Sequence, residues 1–135
     1  MSKAIAMQEI TIEQLQILQQ NLLSEFARLK DKVKARLATS SKPYLNDLVQ
    51  HVDTMNADTL IDSLIHCESH SLNLYKKQIQ NIDAALQGME LGLYGLCSDC
   101  ETELDVNSLF ECPTKQRCNH CETKYQQQKV KGFKL

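Results

Sequence analysis

The chain has no tryptophan and only four tyrosines and three phenylalanines in 135 residues. An aromatic content of 5% excludes a broad aromatic core and a base-stacking platform of the kind single-strand binders use. The four glycines build no phosphate-cradling loop, and no nucleophile sits in a recognisable pattern with a base. The sequence therefore reads as a non-enzyme. No apolar run approaches the length needed to span a bilayer. The opening MSKAIAMQEI lacks the sustained apolar core of a secretory leader, so a cytoplasmic protein with no membrane association is expected. A net charge of -2 does not suggest a general nucleic-acid binder.

What is present is segregated. From Arg28 to Lys42 there are six basic residues and one acid, Asp31. From Asp47 to Glu111 there are twelve acids against Lys76 and Lys77, and from Pro113 onward six basic residues against Glu122. Such an arrangement favours oriented docking on a charged partner.

The apolar residues follow helical spacing. Leu15, Leu18, Leu22, Phe26, Leu29, Val33 and Leu37 form one stripe at steps of three and four, with Thr11 and Gln14 as a capping pair. The stretch ATSSKP ends that helix, because Pro43 cannot continue the hydrogen-bond ladder. Tyr44 to Asn56 is less regular and predicts a short helical turn or two. A second stripe runs Ile61, Ile65, Glu68, Leu72, Tyr75, Ile79, Ile82, Leu86, Met89 and Leu93, broken only by Glu68. It predicts one helix of about 50 Å at 1.5 Å per residue, paired with the first as an antiparallel hairpin or coiled coil. The expected fold is mainly α. Residues 1–93 form the hairpin with its tip near 39–58. Residues 94–135 form a small four-cysteine zinc-finger knob with a short, basic terminal helix, entered through Gly92 and Gly95.

Cys97 and Cys100 are separated by two residues, as are Cys118 and Cys121, with seventeen residues between the pairs. Each such knuckle presents two thiolates on one side of a tight turn, and two knuckles complete a tetrahedron around Zn2+. A thioredoxin-like redox pair would need a βαβ context that the helical pattern denies. Four thiolates leave no open position, so one structural zinc per chain is expected rather than a catalytic one. Between the pairs the apolar residues are Leu104, Val106, Leu109 and Phe110. They are too few for a core, so metal binding should supply much of the knob's folding energy. Cys112 and Cys67 are left over. Cys112 is a redox-sensitive neighbour of the site, or a buried or merely spare thiol. His66 and His70, four apart around Cys67, are a second metal pair or an exposed coincidence. His120 is expected on the outside of its knuckle.

The run IDAALQGMELGLYGLCSDC, followed by LFECPTKQRCNHC, resembles the DksA/TraR family of bacterial C4 zinc-finger proteins. The likeness is close from Ile79 to Cys121 and general over the helices before it. It implies a cytoplasmic, monomeric regulator that binds bacterial RNA polymerase at the secondary channel, without sequence-specific DNA binding. The zinc end docks at the channel rim while the coiled-coil tip modulates initiation. The family's tip carries an acidic motif, for which Asp53 and Asp58 are the candidates here. The family's basic nucleotide-site residues fall on Asn81, Cys112 and Glu122, which implies no family-like dependence on ppGpp. The rival classes are a coiled-coil adaptor whose zinc knob binds another protein, a redox-sensing zinc protein, and a zinc-dependent DNA-binding module. The acidic stretch argues against the last, since it repels phosphate.

Overall fold

Thr11 and Gln14 close the expected reciprocal cap: each backbone N–H donates to the other's side-chain oxygen at 3.0 Å. From there α1 runs uninterrupted over Ile12–Ala38. The computed structural model describes residues 10–65, 67 and 69–134, with side chains as far as Lys129. After α1 come α2 (Pro43–Leu48), a 3-10 turn (Val49–Thr54), α3 (Ala57–Ser63), α4 (His70–Leu91), α5 (Val106–Glu111) and α6 (Asn119–Lys134). The pairing of Leu96 with Glu103 is an isolated bridge, and no strand occurs among the described residues.

The two long helices pack against each other in opposite directions. Leu15, early in α1, shares a cavity with Met89, late in α4. Arg36, late in α1, shares one with Leu72, early in α4. Their stripes meet as one core of Leu22, Leu29, Val33 and Leu37 against Leu72, Ile79 and Ile82. Each fully buried aliphatic side chain there contributes about 1.5–3 kcal/mol.

The expected single helix from Ile61 to Leu93 is not what forms. The chain leaves the helical path after Ser63 and re-enters at Ser69, whose hydroxyl accepts from the Leu72 N–H. The result is a helix of 22 residues, about 33 Å long. Burial explains the break. The inward residues before it are Leu60, Leu64 and Cys67, whereas Ile65 is 55% exposed. The buried stripe is thus displaced by one residue from the one that continues into α4. A continuous helix would also have set the Glu68 carboxylate on the apolar seam, where an unpaired charge is costly. Glu68 itself and His66 lie outside the described residues.

The region expected as the tip, near 39–58, contains the short helical turns that Tyr44 to Asn56 predicts, and they fold back on the long helices. Pro43 sits in the first turn of α2, where its missing N–H costs nothing. Asn46 Nδ2 donates to the carbonyls of Leu37 and Ser40 at 2.8 and 3.0 Å, so α2 caps the end of α1 and turns back. The 3-10 turn continues along α1: Lys34 Nζ pairs with the Asp53 carboxylate at 3.0 Å, and Lys30 Nζ donates to the Asp53 carbonyl. Then α3 packs on α4. Buried Leu45, Val52, Leu60 and Leu64 join the main core, so this end is a bundle of short and long helices rather than a two-helix rod.

At the opposite end Gly92 closes α4 with φ of 75°. The Leu93 N–H donates to the Gly88 carbonyl at 2.8 Å, which satisfies a terminal acceptor in a left-handed turn that suits glycine. The Tyr94 hydroxyl then reaches across to the Pro113 carbonyl at 2.8 Å. It thereby ties the exit of α4 to the loop before the second cysteine pair.

Candidate metal centre

The first knuckle is built by a tight double turn. The Cys97 N–H donates to the Thr102 carbonyl and the Glu101 N–H to the Cys97 carbonyl, with Glu101 in the left-handed region at φ 64°. The second knuckle starts α6: Cys118 precedes its first residue, Asn119, and Cys121 lies in its first turn. There the backbone N–H groups favour negative sulfur. The Cys121 N–H points at Cys118 Sγ at 3.4 Å. Two links hold the knuckles in register. The Ser98 N–H donates to the Gln116 carbonyl at 2.7 Å, and Arg117 pairs with Asp99 at 3.1 Å. Arg117 also stacks over the Tyr125 ring at 3.8 Å, which anchors α6 to the same clamp.

These turns bring the sulfurs of Cys97, Cys100, Cys118 and Cys121 within 4.8 Å of one another. A tetrahedral site with bonds of about 2.3 Å has sulfur–sulfur edges of about 3.8 Å. The Cys100–Cys118 edge is 3.9 Å. That is far beyond a disulfide bond of about 2.05 Å, and all four cysteines are free thiols. The four could hold a metal ion such as zinc.

The protonation pattern fits a cation site. Burial opposes ionisation of Cys97, but backbone hydrogen bonds from Cys118, Cys100 and Asp99 outweigh it and bring the thiol down to about 6. Cys100 is lowered first by the Thr102 hydroxyl, 3.0 Å from its sulfur. Cys121 is pushed the other way, to about 12, first by the facing Cys118 sulfur and then by burial. Within the cluster, Cys97 and Cys100 are thus favoured as thiolates while Cys121 holds its proton against its sulfur neighbours. A divalent cation at the centre removes that conflict. Four sulfur ligands close its shell, so the ion would staple the fold rather than bind substrate.

The knob's core is completed from outside it. Leu104 and Leu109 are buried, and Leu18 of α1 is buried with them, against Cys97 and Cys121. Phe110 is exposed and Val106 only half-buried. Leu18 stood in the α1 stripe, yet its spacing does not say that it faces the knob while Leu22 faces α4. Thr102, which supports Cys100, carried no sequence signal of its own.

Of the other residues singled out, Cys112 is exposed and outside the sulfur cluster, with Thr114 Oγ1 at 3.6 Å. Cys67 is buried in the main core, where burial raises its pKa. His70 opens α4 and is exposed, as is His120. Asp53 and Asp58 are both exposed but are not brought together. Asp53 is held on α1 by Lys34. Asp58 stands in the first turn of α3, where the capping side chain is that of Asn56. The carboxyl of Asp83, well along α4, is raised by burial and, next, by the charge of Asp58. Asn81 and Cys112 line one cavity of about 380 Å3 together with Glu25 and Glu111, whereas Glu122 faces Arg117 at 3.9 Å. No described helix is long and apolar enough to cross a membrane. A comparison with protein-family models, curated proteins and solved structures finds no match to this chain.

Proposed function

We propose that this chain is a zinc-stapled, non-enzymatic regulator that docks on bacterial RNA polymerase at the secondary channel and modulates initiation. The observation that carries the reading is a cluster of four cysteines built at the base of two antiparallel long helices. It is formed by the same residues, Tyr94 to Cys121, whose sequence resembles the DksA/TraR family. Zinc suits four thiolates in a closed tetrahedron better than harder divalent ions do. The compartment of such a protein is the cytoplasm. Its role is to present a surface, with Cys97, Cys100, Cys118 and Cys121 holding the ion that makes the knob rigid.

In this reading ppGpp does not assist. The cavity lined by Asn81 and Cys112 has Glu25 and Glu111 on its walls, and a polyphosphate is repelled by carboxylates. The test is a binding competition. The zinc-loaded chain should displace a known secondary-channel factor from core polymerase at micromolar concentration and alter transcription equally with and without ppGpp. Failure to compete sinks the reading.

One observation favours a second reading, the zinc-knob adaptor. Residues 43–63 fold back on the long helices and thicken the end that would have to enter a narrow channel. An adaptor presents that bundle to another protein. Saturable binding to polymerase that a channel-blocking factor does not relieve would support the adaptor.

A further inference from the structure

A cavity of about 630 Å3 lies between the start of α1, the end of α4 and the first knuckle. Its floor is apolar, with Ile10, Leu15, Met89 and Leu96, and its charged groups are Glu101 and Glu103. Among the described residues no lysine or arginine lines it. An occupant must therefore bring apolar side chains and positive charge together. Lys129 to Leu135 is such a segment, with Lys129, Lys131 and Lys134 beside Val130, Phe133 and Leu135, whereas the basic run from Arg28 to Leu37 already has its apolar residues Leu29, Val33 and Leu37 buried in the main core.

The far end of that segment is carried away from the knuckles of its own chain. Thr102, on the cavity rim, has its hydroxyl 3.0 Å from Cys100 Sγ, which is 3.9 Å from Cys118 Sγ. Because α6 departs from Cys118 and remains helical to Lys134, its end lies about 22 Å along a straight axis. We propose that the cavity receives the C-terminal segment of a second copy of this chain. Each copy then inserts its basic helix end into the acidic-rimmed cavity of the other. A two-fold arrangement closes the exchange, since each interface uses the same two surfaces. This departs from the monomer expected from the sequence, and it does not depend on polymerase binding.

The experiment is sedimentation of the full zinc-loaded chain over a concentration series, with charge-reversed variants. The parent should self-associate below concentrations on the order of 100 µM and dissociate as salt is raised. Glu101→Lys with Glu103→Lys, and separately Lys131→Glu with Lys134→Glu, should each weaken association at least about tenfold. Mixing the two double variants should restore it, because each then supplies the complement of the other. Metal content and circular dichroism verify that both variants fold. A parent that stays monomeric at that concentration overturns the proposal. So does association indifferent to the Glu101 and Glu103 reversals, or a mixture that does not regain it.

Discussion

Leu18 and Leu22 stand one turn apart on α1, both essentially inaccessible to solvent, and they serve different cores. Leu22 packs in the main helical core, and Leu18 packs with Leu104, Leu109, Cys97 and Cys121. Truncating either to alanine removes a fully buried side chain and leaves a cavity, a change that costs about 2–5 kcal/mol. The consequences should separate. Where metal binding and knob folding are coupled, as a four-thiolate site implies, a loss of about 3 kcal/mol from the knob's docking weakens apparent metal affinity by up to about 100-fold. Leu22→Ala takes a similar amount from the helices but leaves the knuckles and their seat intact. Its affinity should stay within about threefold of the parent's. Competition against a chromophoric zinc chelator reads the affinity, and thermal melts by circular dichroism read the stability. Equal losses of affinity in the two variants would refute the division of the core. Unchanged affinity in Leu18→Ala would show that the knob folds without its seat on α1.

Other perturbations test the remaining assignments. Cys97→Ser should lose the bound metal and unfold the knob while α1 and α4 stay largely helical, whereas Cys112→Ser should keep one ion per chain. Metal analysis distinguishes the two, and a full complement in Cys97→Ser would overturn the ligand set. Tyr94 is raised to about 12, first by burial. Its folded pKa exceeds the unfolded value near 10, so its stabilising effect is intact below pH 10 and is lost as pH rises from there through about 12. An ultraviolet titration should show one late tyrosinate that disappears in Tyr94→Phe. Under the proposed polymerase function, Asp53→Ala with Asp58→Ala should leave polymerase affinity within a few-fold while removing most of the effect on transcription. A double variant that regulates like the parent would assign the activity elsewhere.

The cysteine site was legible because its information is local. Two residues between ligands set each knuckle's geometry, and only the closing distance of 3.9 Å between Cys100 and Cys118 needed the fold. The start of α1 was legible for the same reason, since Thr11 and Gln14 satisfy each other within one turn. What the sequence hid is non-local. Leu18 and Leu22 obey one helical period, and nothing in that period tells which side chain meets the knob and which meets α4.

The misread second helix shows the same limit from the other side. Ile61, Ile65, Leu72 and Tyr75 keep a seam of threes and fours, but so do Leu60, Leu64 and Cys67, displaced by one residue. Periodicity alone cannot choose between two interleaved stripes; what chooses is which stripe finds a partner. Once Asn46 caps α1 and turns α2 back, Leu45 and Val52 need cover, and the stripe of Leu60, Leu64 and Cys67 is buried with them in the same core. Ser69 then restarts the helix on the α4 register. The lone Glu68 on the seam was the one sequence feature that favoured this outcome, because a continuous helix would have buried its charge. A single irregularity in a long apolar period marks a place where the chain can change which face it buries.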